Sequence, residues 1–326
     1  MEQRPKTLQQ AIRHFSDEQT CIDTVALMRW PDGIPECPKC GGKEHYYLAT
    51  QKRWKCKNGQ CGKQFSVKAG TIFEDSPLGL DKWLMAMWMI ASCKNGVSSY
   101  EIHRAIGVTQ KSAWFMMHRI RLAMQDGGIG GKLSGCVEVD ETFIGGKARN
   151  MHKSKRARMI TGRGTKGKTV VMGFLQRDSK PHSTVKAQVI ADRYSNTMQT
   201  AVKENVAEGS SLMTDEFAAY TGSEDTFTHE VINHAIEYVK GQIHTNGMEN
   251  FWSLLKRSIG GTYVSVEPFH LFRYIDEQSF RFNNRGHRKF PIHDGQRFDK
   301  VLSNVAGRRV TYKELTGKVG QTSQPF

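Results

Sequence analysis

Two pairs of cysteines constrain the fold of this chain more than any other feature of its sequence. Cys37 and Cys40 are separated by two residues, Cys56 and Cys61 by four, and 15 residues lie between the pairs. Four thiolates so arranged suit tetrahedral Zn²⁺, which stabilises units too small to form their own hydrophobic core. The alternative, four unrelated buried cysteines, does not explain why polar residues lie between the members of each pair. We therefore predict a zinc ribbon whose structural Zn²⁺ has all four positions filled by protein.

Basic residues outnumber acidic ones in this chain of 326 residues. There are 47 lysines and arginines against 32 aspartates and glutamates, a net charge of +15. Such a surplus favours a polyanionic partner, because each neutralised phosphate releases a condensed counterion. No apolar run approaches the roughly 18 residues of a membrane span, and the first residues lack the apolar core of a signal peptide. We expect nucleic acid as the partner, no membrane association and a cytoplasmic location.

Apolar residues recur at helical spacing between residues 81 and 125. Residues 98–101, Ser-Ser-Tyr-Glu, fit a capping box at the start of a second helix, and Thr109 fits the N-cap of a third. Two helices separated by the short turn Gly107-Val108 are typical of a helix-turn-helix, although a plain three-helix bundle gives the same pattern. The side chains of the third helix that we expect to contact DNA are Lys111, Arg119 and Arg121, beside Gln110 and His118.

Beyond a glycine-rich linker at residues 127–131, the pattern changes to that of strands. The predicted strands are residues 135–144, 168–177, 184–190 and 210–214, with a helix at 194–206. This order favours an α+β fold with a mixed sheet and helices packed against it. The predicted domains are an N-terminal helix with the zinc ribbon (1–75), a helical DNA-binding segment (76–130), a mixed-sheet domain (131–290) and a polar C-terminal tail (291–326).

A strongly basic segment lies between the first two predicted strands. Residues 147–168 contain nine lysines and arginines and no acidic residue, and we interpret them as a loop. A solvated basic linker is the alternative, but the absence of acid and the proximity to Asp140 favour contact with phosphate. The DNA contacts predicted here are Lys153, Lys155, Arg156 and Arg158.

Three acidic residues from separate segments form a candidate catalytic site. Asp140 and Asp215 belong to strand-like apolar runs, and Glu249 lies in an amphipathic helix. Metal-assisted phosphoryl transfer uses such carboxylates to hold divalent ions. Glu138 shares a strand face with Asp140 and is a rival ligand. We prefer Asp140 because it lies nearer the middle of its apolar run, where a charge has no cheap solvated alternative.

The helix that begins near Asn246 allows two interpretations of Glu249. With Asn246 as the N-cap, Glu249 occupies the third helical position, and Asn-x-x-Glu is close to a capping box. The alternative is metal binding, which Lys256 favours because it lies two turns later on the same helix face. A carboxylate and a lysine so placed can hold a metal ion and a phosphate together.

The chain resembles bacterial insertion-sequence transposases of the DDE type, in the group that carries an N-terminal zinc ribbon before a ribonuclease H-like catalytic domain. The motifs that carry this resemblance extend over nearly the whole chain. They are the cysteine ribbon, Val139-Asp140-Glu141-Thr142, Thr214-Asp215, and His244-Thr245-Asn246 through Glu249, Trp252 and Lys256-Arg257.

The resemblance implies that Asp140 and Asp215 are the first two catalytic carboxylates, and that Lys256 is the basic residue that follows the third. Relatives include members with Asn in place of Glu, so Asn246 and Glu249 are both candidates for the third position. We prefer Glu249, because an anionic oxygen binds a hard divalent ion better than an amide does.

The implied reaction is the cleavage of DNA at insertion-sequence ends, dependent on Mg²⁺ or Mn²⁺, followed by transfer of the freed 3′-hydroxyl to target DNA. The implied partners are the element's terminal inverted repeats and the target DNA, bound by a homo-oligomer associated with the nucleoid.

Two other classes of protein remain open. A zinc-ribbon and helix-turn-helix regulator that binds DNA without cutting it would have the same charge and cysteine pairs, but no use for the separated carboxylates and Lys256. A metal nuclease that cleaves without joining would keep the carboxylates, and the resemblance alone separates it from a transposase.

Overall fold

The computed structural model describes residues 4–125, 130–146, 150–160, 167–177, 182–215, 227–232 and 245–317. It divides the chain into two compact units. Unit 1 contains the described residues of Met1–Met124 and Pro291–Thr322, and unit 2 contains those of Gln125–Phe290.

The elements follow the chain in this order. They are α1 (Leu8–His14), α2 (Glu18–Arg29), β1 (His45–Leu48), β2 (Arg53–Cys56), β3 (Gln64–Phe65), α3 (Leu80–Ser92), α4 (Ser99–Ile106), α5 (Gln110–Ala123), β4 (Cys136–Ile144), α6 (Lys153–Met159), β5 (Thr169–Gln176), β6 (Thr184–Ile190), α7 (Ser195–Asn205), β7 (Ser211–Asp215), β8 (Thr228–Ile232), α8 (Asn246–Arg257), α9 (Leu271–Asn283), α10 (Asp294–Leu302) and α11 (Tyr312–Leu315). A π-helical turn, Ser258–Tyr263, and a short 3₁₀ turn, Pro268–His270, lie between α8 and α9.

The first part of unit 1 is a small antiparallel sheet, β1-β2-β3, that carries the four cysteines. Their sulfur atoms lie within 4.8 Å of one another. In place of a larger core, aromatic rings pack beside them: Trp54 on β2 is buried between Trp30 and Phe65, with ring centroids 5.3 and 6.0 Å apart. The predicted cysteine cluster is confirmed.

The predicted helix ends in unit 1 are also confirmed. Ser98 and Glu101 form a capping box at the start of α4, and the Thr109 side chain accepts a hydrogen bond from the backbone of Ser112 at the start of α5. Gly107 ends α4 with φ of 64°, a conformation that glycine adopts without steric cost. The two helices therefore have the short connection that the sequence predicts.

The end of the described chain is structured, whereas the sequence favours a polar tail. In α10, Phe298, Val301 and Leu302 are buried, and the helix packs against α3. In α11, the ring of Tyr312 lies against the rings of Trp114 and Phe115 on α5. The apolar residues here are few and are separated by charged ones, which hid their helical spacing.

Two of the side chains on α5 that were expected to contact DNA are buried in the protein. Arg119 and Arg121 are only 3% and 1% exposed. The guanidinium group of Arg119 donates hydrogen bonds to the backbone carbonyls of Ile72, Glu74 and Val310. These carbonyls lie outside helices and strands, so a buried arginine can satisfy them. Lys111 is exposed, with its Nζ 4.7 Å from the centroid of the Tyr312 ring.

Unit 2 is built on a five-stranded mixed sheet in the order β6-β5-β4-β7-β8. Strand β4 pairs antiparallel with β5 and parallel with β7, and β8 is parallel to β7. The four predicted strands and helix α7 are present, and each of their ends lies within one residue of the predicted end. Strand β8 was not predicted. The expected α+β class with a mixed sheet is confirmed.

Helices cover both faces of this sheet. Val137 and Val139 on β4 belong to a core cluster with Met198 and Val202 of α7. A second cluster joins the sheet to α8 and α9 on the other face, which is the face of Glu138 and Asp140. The alternation predicted for β4 is therefore confirmed.

The basic segment between β4 and β5 was interpreted as a loop, but it contains the short helix α6. Residues 147–149 and 161–166 of this segment lie outside the described residues. In the described part of the chain, no helix has the length and apolar character needed to cross a membrane.

We expect Arg119→Ala to destabilise the protein by about 3 kcal/mol, because it removes a charged donor from buried carbonyls. Urea unfolding monitored by circular dichroism measures the loss. The exposed neighbour provides the control: Lys111→Ala should change stability by less than about 1 kcal/mol. An Arg119→Ala protein that keeps wild-type stability but loses DNA affinity would restore Arg119 as a DNA contact.

Candidate active site

Asp140 is held in a defined orientation at the surface of the sheet. One carboxylate oxygen, Oδ2, accepts a hydrogen bond from Nε1 of Trp252 at 2.9 Å, and the other, Oδ1, accepts one from the backbone amide of Glu141 at 2.8 Å. Asp140 is half-buried, so its carboxylate is fixed by protein while still reaching the surface.

Glycine on the neighbouring strand makes room for this contact. Gly173 of β5 lies opposite Asp140 in the antiparallel register. A Cβ atom built on Gly173 would lie 2.2 Å from the Met248 side chain and 2.7 Å from the Trp252 ring. The absence of a side chain at this position therefore allows α8 to lie close enough for its indole to reach Asp140.

An open cleft of about 410 Å³ lies beside Asp140. Glu249 and Lys256 both line it, together with Asp140. The full lining is Asp140, Glu141, Thr142, Glu249, Trp252, Ser253 and Lys256. A strand and a helix that are far apart in sequence thus bring three carboxylates and a lysine into one cleft.

Glu138, the rival of Asp140, has a structural position. It is 1% exposed, pairs with Nε of Arg177 at 2.7 Å and accepts a hydrogen bond from the backbone amide of Met248 at 2.8 Å. Glu138 is the more deeply buried of the two, so burial of the charge does not distinguish Asp140 as the sequence predicts. What distinguishes Asp140 is its access to the cleft.

The capping box that was one of the two interpretations of Glu249 does not form at the start of α8. The N-cap is Thr245, it makes no side-chain cap hydrogen bond, and Asn246 is the first helical residue. An amide of the first turn is satisfied instead by Glu138 of β4, on the face of the sheet that α8 covers. Glu249 is exposed and lines the cleft, while Asn246, also exposed, does not line it.

Asp215 is the last residue of β7. The parallel register pairs Glu138 with Met213, and the same offset carried two residues further aligns Asp215 with Asp140. Adjacent strands lie about 4.8 Å apart, so the two backbones are neighbours. The side chain of Asp215 lies outside the described part of the structure.

The sequence assigns no role to two further residues: Trp252, which lines the cleft, and Arg193, which lies outside its lining. Arg193 forms an ion pair with Glu141, and its Nε donates a hydrogen bond to Oε1 of Glu141 at 3.0 Å. A tryptophan four residues before a lysine on an amphipathic helix was a signal for Trp252, whereas nothing in the local sequence indicates the pair between Arg193 and Glu141.

The remaining predicted DNA contacts belong to helices α5 and α6. Lys111 is exposed on α5, and Lys153 and Arg156 are exposed on α6. The side chains of Lys155 and Arg158 lie outside the described residues. Their role in binding DNA stays a prediction.

The cysteine cluster has the chemistry of a zinc site. Burial acts to raise the pKa of the Cys37 thiol, but hydrogen bonds from the backbone of Lys39 and Cys40 lower that pKa to about 7. The pKa values of the Cys40 and Cys61 thiols are raised, so Cys37 is the member of the cluster that most readily supplies a thiolate for zinc. The four sulfur atoms would fill the coordination sphere of one structural Zn²⁺ ion.

We expect the purified protein to contain one Zn²⁺ per chain, and Cys40→Ser to lose it together with the fold of the ribbon. Elemental analysis and tryptophan fluorescence measure the two effects, since Trp54 packs within the ribbon. Cys93→Ser is the matched control and should retain zinc. A full zinc content in Cys40→Ser would contradict the assignment.

Glu138→Ala should destabilise the protein by about 3 kcal/mol, because it removes a buried carboxylate that pairs with the partly exposed Arg177 and accepts from the Met248 amide. Glu138→Gln keeps an acceptor for the Met248 amide, so we expect a smaller loss of about 1–3 kcal/mol. Urea unfolding measures both values against Glu208→Gln, an exposed control. Equal stability of Glu138→Ala and the control would contradict an anchoring role.

Comparisons with known proteins agree with this architecture. Residues 16–64 match the transposase zinc-ribbon domain, and residues 132–283 match the ISXO2-like transposase domain. The chain is also 27% identical, over 258 residues, to an uncharacterized protein in the transposable element ISH50 of Halobacterium salinarum, covering 76% of this chain and 84% of that relative. The two matches, zinc ribbon first and transposase domain second, support an insertion-sequence transposase with an N-terminal zinc ribbon.

Proposed function

We propose that this protein is a DDE-type DNA transposase that cleaves DNA at insertion-sequence ends and joins the freed 3′-hydroxyl to target DNA. The observation that carries the proposal is the cleft in which Asp140, Glu249 and Lys256 meet. The match to a transposase domain over residues 132–283 supports it.

The donor set of the cleft suits a hard divalent cation. Mg²⁺ and Mn²⁺ prefer carboxylate oxygens, and the cleft has two exposed or half-buried carboxylates that belong to the expected catalytic set. We assign Asp140, Asp215 and Glu249 as the residues that would hold the metal. A bound ion would supply Lewis-acid stabilisation of charge on the attacking and leaving oxygens.

The two chemical steps are both attacks on phosphorus. In the first, water attacks at the element end, the bond between phosphorus and the 3′-oxygen breaks, and that oxygen leaves as a free 3′-hydroxyl. In the second, this hydroxyl attacks a phosphodiester of the target strand, and the target's 3′-oxygen leaves. Lys256, exposed on the cleft wall, would bind a DNA phosphate, and neither step needs a covalent enzyme intermediate.

Glu249 is our choice for the third carboxylate. It faces the cleft, and the capping box that offered it a purely structural role does not form. Asn246 remains the alternative, since it is exposed one turn earlier on the same helix.

DNA binding would extend beyond the cleft. The exposed residues Lys111, Lys153 and Arg156, with Lys155 and Arg158, are the proposed contacts. The proposed substrates are the terminal inverted repeats and target DNA, held by more than one copy of the protein on the nucleoid.

An assay with Mg²⁺ and supercoiled donor DNA bearing the element's ends tests the proposal. Removing a carboxylate that holds metal forfeits several kcal/mol of transition-state stabilisation, so we expect Asp140→Asn, Asp215→Asn and Glu249→Gln each to lower cleavage by at least about 100-fold. Mn²⁺ should support the wild type. Glu208→Gln, on an exposed turn of the same unit, should cleave normally.

Other outcomes would replace the proposal. Strand joining by Asp215→Asn at the wild-type level would contradict the proposed mechanism. An active Glu249→Gln beside an inactive Asn246→Ala would move the third ligand to Asn246. Binding of the ends without cleavage would indicate a regulator, and cleavage without joining would indicate a nuclease.

A further inference from the structure

A strained and exposed turn follows the helix that carries Glu249 and Lys256. Val264 has φ of 62° and ψ of −52°, and the backbone amide of Ser265 donates a hydrogen bond to the carbonyl of Tyr263 at 2.6 Å. This geometry is that of the classic γ-turn, which is rare and strained, above all for a β-branched residue. Yet Val264 is 77% exposed, so its side chain recovers little of that cost by packing within the chain.

The residues on both sides of Val264 hold the turn in place. The Tyr263 hydroxyl donates to the carboxylate of Glu277, which also pairs with Arg281, and the Tyr263 ring lies edge-on to Tyr274 at 4.7 Å. On the other side, Val266 packs against the core shared by the sheet, α8 and α9. The tip is therefore presented by a fixed base.

The segment from Lys256 to Val264 begins with two basic residues and contains no acidic residue. Lys256 and Arg257 are exposed at the end of α8, and residues 250–266 contain no acidic residue. Gly260 and Gly261 follow, both exposed, and a Cβ atom built on either would meet nothing within 4 Å. A polyanion held by Lys256 and Arg257 can approach this backbone closely.

We propose that Val264 is an apolar wedge that enters between neighbouring base pairs of the DNA bound at the cleft. The inference rests on the proposed function, because it requires duplex DNA beside Lys256. Proteins that distort DNA insert apolar side chains into a base step, and they recover the cost of unstacking through wider contact with the bent duplex. Because the turn at Val264 is already fixed in one conformation before binding, it loses little conformational freedom when the side chain enters the DNA.

The wedge gives a measurable change in DNA twist that needs no cleavage. We would bind the full-length, zinc-loaded protein to closed circular plasmid without Mg²⁺, relax the complex with topoisomerase I, and read the change in linking number on gels. Wild-type protein and Val264→Leu should unwind the plasmid. Val264→Gly should lose about half of the unwinding or more, because the wedge is gone.

Two controls exclude trivial causes of that loss. Glycine adopts positive φ freely, so Val264→Gly should melt at the wild-type temperature or above it, which excludes misfolding. Its affinity for plain duplex DNA, measured by fluorescence anisotropy, should fall by no more than about threefold, because the phosphate contacts that dominate affinity remain. Ile12→Ala, which shortens another exposed apolar side chain (54% exposed) in unit 1, should unwind DNA as the wild type does.

Unwinding by Val264→Gly equal to that of the wild type would overturn the wedge, as would a wild-type protein that does not unwind DNA. A changed oligomeric state in Val264→Gly with unchanged unwinding would also overturn it and assign the tip to a contact between proteins. These outcomes are independent of the proposed chemistry, which the cleavage assay with Asp140→Asn judges separately.

Discussion

The buried carboxylate of Glu138 is the contact on which the candidate active site depends. A carboxylate in a protein interior costs several kcal/mol unless it is paired and hydrogen-bonded. Here Arg177 and the Met248 amide supply both kinds of partner. Because an amide of the first turn of α8 is one of them, the partial positive charge of that helix end also faces the carboxylate. The position of α8 on the sheet is thus set by electrostatics as well as by apolar packing.

Everything in the cleft follows from where α8 is fixed. Its buried side places Met248, Phe251 and Leu255 in the core below. The other side presents Glu249, Ser253 and Lys256, at intervals of four and three residues, to the cleft. One helix therefore closes the core and lines the site, and Trp252, between the two sides, connects them through its hydrogen bond to Asp140.

Sequence reasoning succeeded where one local signal had one meaning. The cysteine spacing, the capping box at Ser98 and the alternation along β4 each correspond to a single structure, and each was found. It failed where a polar residue serves an interior that the local sequence does not reveal. Arg119 is charged yet buried, because its carbonyl partners come from residues 72–74 and 310, distant in the chain.

The same limit applies to the candidate site. The choice between Glu138 and Asp140 could be named from strand parity, but its physical reason could not, since Arg177 and Met248 come from other elements. The spacing of Asn246 and Glu249 suggested a cap that the structure lacks, because Glu138 satisfies a first-turn amide instead. Asp215 was placed by its strand alone, and the alignment of β7 with β4 puts its backbone beside that of Asp140.

Unit 1 is built from two distant parts of the chain, and this determines when it can fold during synthesis. Helix α10 packs against α3, and Arg119 needs the carbonyl of Val310, so unit 1 cannot complete its core until its last segment has left the ribosome. The described residues of unit 2 lie between the two parts and are synthesised before α10. A chain interrupted after unit 2 would leave α3 without α10, and its zinc-bearing unit would have an open hydrophobic face.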